Sequence, residues 1–270
     1  MEKLTPEQQR KLDTIQALLR KAQAEGATPF EAESLSAKAF ALAARYMIDE
    51  AFIQAKSGTT DTIMTRQGEV GRPYNQLMTL ANVIYKFTGC KLIRRNADPD
   101  ADIYDQVEGK AADGTRYRGE KFSVVGFTSD LDRGHMLLTS LLVQGTRQVT
   151  ADYRRDVKFA QSSERRSTYY RSWWTEFTIE IYARLEPIRK QQMAKANMEH
   201  GTTTGSGAEV VLAARADLIT HSINDQFGAL KTGRKGRSVS GSGGDSGKEA
   251  GRRADIGGKR VSGSTRAIEG

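Results

Sequence analysis

A single cysteine, Cys90, is all the thiol chemistry in this chain of 270 residues. No internal disulfide and no cysteine-built zinc site can therefore hold it together, and the scarcity fits a reducing, intracellular compartment. Standing just after Gly89, where a chain re-enters a core, Cys90 reads as a buried, inert thiol. Histidine is almost as rare. His135, His200 and His221 are scattered, with no His-Glu-x-x-His helix, so a zinc-peptidase arrangement is not expected and no metal or cofactor is assigned. Nowhere do eighteen apolar residues run together, and the first ten residues, MEKLTPEQQR, contain no apolar signal region. Neither membrane spanning nor standard signal-led secretion is expected, which places the protein in a cytoplasm.

Positive charge and glycine are abundant, and both concentrate at the end of the chain. The net charge is +8 at pH 7, yet residues 231–270 hold ten Lys or Arg against four Asp or Glu, with eleven Gly and six Ser. Residues 1–230 are left nearly neutral, with 31 basic and 29 acidic side chains. A composition so poor in apolar groups predicts a disordered basic Gly/Ser-rich tail over 229–270.

Ahead of the tail, local signals are strong. Thr5-Pro-Glu-Gln and Thr28-Pro-Phe-Glu are two capping boxes, each placing a threonine hydroxyl before a proline and a Gln or Glu three residues on. Leu12, Ile15, Leu19 and Ala22 then mark one apolar face, and Ala32, Leu35, Ala39, Leu42, Ala43 and Tyr46 a second, ending near Met47. So short a connection requires an antiparallel helical hairpin over 1–56, with a further short helix from Asp49. Residues 57–73 read as a linker or one weak strand, 74–87 as a helix stopped by Gly89, and Lys91-Leu-Ile-Arg-Arg as a strand. Phe122 to Phe127 is the best strand signal in the chain, and it passes into a helix capped by Thr128, Ser129 or Asp130. Leu131, His135, Leu138, Leu142 and Val149 are expected on that helix's buried stripe. An aromatic helix from about 167 to 198 and a last one from 209 to 227, with Val210, Val211, Ala214, Leu218 and Ile223 repeating, complete an α+β domain over 74–228. In it a small antiparallel sheet packs with long helices.

Several motifs fail on inspection. Asp98-Pro-Asp-Ala-Asp-Ile-Tyr-Asp opens like a calcium loop but has Ile103 where glycine is needed and Gly109 where a glutamate should sit. Gly205-Ser-Gly lacks the lysine and preceding strand of a phosphate loop. Asp130, Asp132 and His135 are the only tight group of acids and histidine, and an unrecognised hydrolase would have to use them.

Leu18-Leu-Arg-Lys-Ala, Thr28-Pro-Phe-Glu-Ala-Glu-Ser-Leu-Ser-Ala-Lys-Ala and Ala44-Arg-Tyr-Met-Ile-Asp-Glu-Ala resemble the N-terminal signature of the domain of unknown function 2786 family. Phe87-Thr-Gly-Cys-Lys-Leu, Val125-Gly-Phe-Thr-Ser-Asp and Arg171-Ser-Trp-Trp-Thr-Glu-Phe resemble the companion domain that follows it, and Gly251-Arg-Arg-Ala-Asp-Ile-Gly-Gly-Lys-Arg-Val its terminal motif. The resemblance implies a helical hairpin, an α+β domain and an actinobacterial or bacteriophage setting. It implies no reaction.

Function must then come from charge. Arg147, Arg154, Arg155 and Lys158 fall on one side of a helix, and Arg165 and Arg166 follow among Tyr169, Tyr170, Trp173 and Trp174. Arg234, Lys235, Arg237, Arg252, Arg253, Lys259 and Arg260 supply the tail. Together these predict weak, salt-dependent contact with DNA or RNA backbone by a non-enzymatic accessory protein of bacterial or phage origin. The alternative is a protein-interaction module whose alanine-rich hairpin docks a partner helix.

Overall fold

The computed structural model describes residues 5–22, 24, 27–57, 61–94, 108–110, 116–118, 120–200, 207–228, 230 and 239–256. The chain is α+β, and a three-stranded antiparallel sheet is the pivot on which the helices are hung. Its strands are β1 (Ile63–Val70), β2 (Lys91–Arg94) and β5 (Glu120–Phe127), in the order β1-β5-β2. Of the two readings of 57–73, linker or one strand, the strand is the one that forms, with Ile63 opposite Phe127 and Val70 opposite Glu120. Two three-residue strands, β3 (Glu108–Lys110) and β4 (Arg116–Arg118), pair separately.

Strand β5 is buried from Phe122 through Phe127 because helices cover both faces. Phe122 and Val124 join the main core, whereas Val125 and Phe127 meet Ile219 and Ile223 of α6 (Ala208–Phe227) on the other side. Both faces of the strand are thereby buried, Ser123 included.

Both capping boxes form. Thr5 N donates to Gln8 Oε1 at 3.0 Å and Gln8 N to Thr5 Oγ1 at 3.2 Å; Thr28 N donates to Glu31 Oε2 at 3.0 Å and Glu31 N to Thr28 Oγ1 at 3.3 Å. They start α1 (Pro6–Ala22) and α2 (Pro29–Ser57). Helix α2 does not stop near Met47 but runs unbroken to Ser57, because Met47, Ile48, Ala51 and Phe52 stay buried and continue its apolar face. Ile15, Leu19, Ala39, Phe40, Ala43 and Ala44 belong to the same core as α3 (Tyr74–Phe87), α4 (Thr128–Tyr153) and α5 (Arg166–His200).

Three expectations on the helices are corrected. His135 is exposed, and the inner face of α4 is set by Leu131, Gly134, Leu138, Leu141, Gly145 and Val149. On α6, Val210 and Leu218 face outward while Arg215 is buried beside Val211, Ile219 and Ile223. The stretch 229–270 is not uniformly a disordered tail, since residues 239–256 form a docked segment around α7 (Gly244–Arg253). Its glycines are the reason. Gly243, Gly247 and Gly251, four residues apart, rest on Tyr169, Trp173, Phe177 and Glu180 of α5. A Cβ on Gly243 would lie 2.5 Å from the Tyr169 carbonyl oxygen, and one on Gly251 2.6 Å from Glu180 Cβ. Missing side chains let the two backbones touch, and Ala250, Ala254 and Ile256 add the apolar seal. Arg184 donates to the Gly251 and Ala254 carbonyls at 2.7 Å, closing the helix's C-terminal end. Among the described residues, no helix is long and apolar enough to cross a membrane.

Candidate functional site

Two charge assemblies stand out, one at the surface and one buried. The surface one is the corner where α4 gives way to α5. At Arg154 the α-helix passes into a π-helical turn (Arg154–Phe159), anchored inward by Val157. Ser162 N donates to the Val157 carbonyl at 2.9 Å and Gln161 takes φ 53°, so the chain reverses into α5. Thr150 Oγ1 and Tyr170 Oη are 3.4 Å apart across the seam between the helices. Arg147, Thr150 and Arg154 share the α4 face there, and Arg166 and Tyr170 the α5 face, with the Arg166 guanidinium 4.7 Å from the Tyr170 ring centroid. Beneath lie Tyr153, Tyr169 and Tyr170, packed edge to face or tilted.

The acids of this corner are already engaged. Asp156 accepts from Tyr169 Oη and Ser246 Oγ, each at 2.5 Å, and from Arg155 Nε at 2.6 Å. Burial works against ionising Asp156, but the hydrogen bonds from Arg155, Ser246 and Tyr169 outweigh it and hold its pKa below the ordinary value. Asp152 accepts from Trp173 Nε1 at 2.9 Å and pairs with Arg155, and Glu164 accepts from the Ser242 amide at 3.0 Å. The docked segment thus reaches two of the local carboxylates, Asp156 through Ser246 and Glu164 through Ser242. Arg147, Arg154, Lys158, Arg165 and Arg171 remain exposed, with no carboxylate in ion-pair range among the described residues.

The predicted cations separate accordingly. Arg147, Arg154, Lys158, Arg165 and Arg166 gather at the corner. Arg155 does not belong to the available set, because Asp152, Asp156 and Ser246 hold it. Arg252 and Arg253 sit on α7 and not in a loose tail, 3.7 Å from Glu180 and 3.2 Å from Glu249 respectively. Arg234, Lys235, Arg237, Lys259 and Arg260 lie outside the described residues, as do Asp98 to Asp105 and Gly205.

The buried assembly was not legible beforehand. Ser129 and Asp130 do not cap α4, which begins with no side-chain cap. Both turn instead into a polar centre with Arg133, Glu50, Asp61 and Arg215. Arg133 grips Glu50 through two bonds, Nη1 to Oε1 at 3.1 Å and Nη2 to Oε2 at 2.8 Å, and also bonds Asp130. Arg215 reaches Asp130 Oδ2 and Gln54 Oε1, each at 2.7 Å, and its guanidinium lies 3.6 Å over the Phe127 ring. Burial opposes charging Glu50, and Arg133 overcomes it, lowering the carboxyl's pKa. For Asp61 burial prevails, reinforced by Asp130 and Glu50 and opposed by Ser129 and Arg215, so its pKa is raised. Ser129 Oγ lies 2.6 Å from both Glu50 Oε2 and Asp61 Oδ2. One hydroxyl proton can serve only one of these two carboxylates at a time.

Glu50, the α2 end of this network, also closes the stretch for which a relationship is found. Residues 10–50 match the family described as protein of unknown function (DUF2786). The matched stretch runs from within α1 into α2, and its last residue is the carboxylate that Arg133 holds. No curated protein and no solved structure matches the chain.

Asp130, Asp132 and His135 do not assemble around a common point. Asp130 is buried between Arg133 and Arg215, Asp132 turns to Arg66 of β1, and His135 faces water. At the start of helix α6 the Ala208 amide donates to Asn197 Oδ1 at 2.6 Å. Cys90 is buried, and burial first, with Asp130 second, raises its pKa. Among the described residues, no group of three or more His, Cys, Asp or Glu side chains is set to hold a metal ion.

Proposed function

We propose that this chain is a non-enzymatic, nucleic-acid-associated accessory protein that docks DNA or RNA backbone on the α4–α5 corner, in the cytoplasm of a bacterial host and with a bacterial or phage origin. One observation supports the reading above others: Arg147, Arg154, Lys158 and Arg165 are exposed at this corner with no carboxylate in ion-pair range among the described residues. Elsewhere in the chain a guanidinium can be fully neutralised, as Arg133 and Arg215 are. Of the local acids, Asp156 pairs with Arg155 and Glu164 accepts from the Ser242 amide. Such a surface attracts phosphates through counterion release, with little sequence preference.

Docking of a protein partner through the hairpin gains no comparable support, because Ala39, Ala43 and Ala44 are buried in the chain's own core. The test is a titration of labelled oligonucleotide with the full chain over a salt series. Engagement of about four phosphates gives a log–log slope of about −3. No binding at low salt, or binding that ignores salt, removes the proposal.

A further inference from the structure

The corner carries one side chain that phosphate contact alone does not explain. Phe159 leaves 81% of its surface in water, at the end of the π-helical turn. Its position is imposed by the backbone: Val157 is buried and receives the Ser162 amide, so the chain is pinned inward two residues earlier and Phe159 is held outward. The turn also sets its neighbour. In an α-helix, residues five apart lie about 140° from one another. In a π turn the i→i+5 repeat brings them to the same side, so Arg154 and Phe159 share a face, with Lys158 adjacent. An aromatic ring flanked by an arginine and a lysine combines a backbone track with a stacking platform.

Building on the nucleic-acid reading above, we infer that Phe159 is a base-stacking platform and that the corner takes single-stranded DNA or RNA in preference to duplex. A duplex offers phosphates to Arg154, Lys158 and Arg165 but keeps its base faces stacked inside. An unpaired strand offers both, and only it can cover the ring. An acidic peptide would satisfy the cations yet has no reason to select against loss of the aromatic ring while sparing its charge partners.

The experiment uses the full chain and fluorescence anisotropy with a labelled poly-dT oligonucleotide of about 15 nucleotides, against a duplex of the same length. The wild type is expected to bind the single strand about ten-fold more tightly than the duplex. Phe159→Ala should weaken single-strand binding by about ten-fold while leaving duplex binding and its salt slope unchanged, and Phe159→Tyr should restore it. Because Phe159 is exposed, its thermal midpoint should not move, so a lost affinity cannot be assigned to unfolding. Equal affinity for single strand and duplex, or an unaffected Phe159→Ala protein, overturns this inference and leaves the backbone-docking proposal standing. Failure of both nucleic acids to bind at low salt overturns the two together.

Discussion

Gly247 of α7 lies flush against the backbone of Trp173 in α5, so close that a side-chain carbon would overlap the Trp173 carbonyl. The same Trp173 donates its indole N–H to Asp152 of α4 at 2.9 Å and stacks on Phe177 with ring centroids 4.9 Å apart. The C-terminal segment is thereby fastened to the residue that joins α4 and α5, behind the cationic corner.

Replacing Gly247 by alanine should therefore loosen α7. The overlap is with backbone, which cannot rotate away, so the expected loss is about 1–3 kcal/mol. In limited proteolysis, Gly247→Ala should be cut within 239–256 at protease levels that spare the wild type. Unchanged cleavage and an unchanged urea midpoint would show that the close approach contributes nothing.

Arg133 is the hub of the buried network. Its charge is favoured by Asp130 and Glu50 against the opposing effect of burial, and removing it leaves two buried carboxylates short of a counter-charge. Arg133→Ala should lower unfolding free energy by about 3–5 kcal/mol. Arg133→Lys should recover little, because an ammonium cannot make the two parallel bonds to Glu50. A loss under about 1 kcal/mol in urea titration would contradict the network's role.

Asp61 provides a pH test of the same centre. Burial raises its folded pKa above the ordinary 3.8, so the stability it contributes is complete below that value and is lost as pH rises through the folded pKa. Asp61→Asn keeps an acceptor oxygen for the Ser129 hydroxyl and does not titrate. The stability of wild type relative to Asp61→Asn should therefore fall as pH rises above 3.8 and then level off. Glu50, whose pKa is lowered, has the opposite dependence, but it is common to both proteins and largely cancels. A relative stability that stays flat or rises with pH would show that the fold does not raise the Asp61 pKa.

What could be read from the chain beforehand follows the range of the interactions. Thr5 with Gln8 and Thr28 with Glu31 are three residues apart, and both capping boxes were legible as motifs. Helix α3 and strand β5 carried their signals in their own side chains. The polar centre did not, since Glu50 and Arg215 are 165 positions apart and apolar periodicity assigns any arginine to the outside. Exposed Val210 and Leu218 on α6 were misassigned for the same reason. Helix α7 was missed differently: glycines at 243, 247 and 251 repeat every four residues, but glycine contributes no apolar signal and the stretch passes for low complexity. At the corner, the exposure of the cations was legible from sequence, but Arg155's capture by Asp152 and Asp156 and the exposure of Phe159 depend on the π turn.

Deleting the C-terminal residues would be a poor probe of the corner, because it would strip α7 from Tyr169, Trp173 and Phe177. The direct measurement is anisotropy of a labelled oligonucleotide, across a salt series, with the full chain and its Arg154→Ala/Lys158→Ala/Arg165→Ala variant. All three side chains are exposed, so the variant should keep the wild-type thermal midpoint. The expected result is much weaker binding at low salt and a log–log salt slope shallower by about two. Equal affinity and equal slope in the two proteins would contradict the placement of backbone binding at this corner.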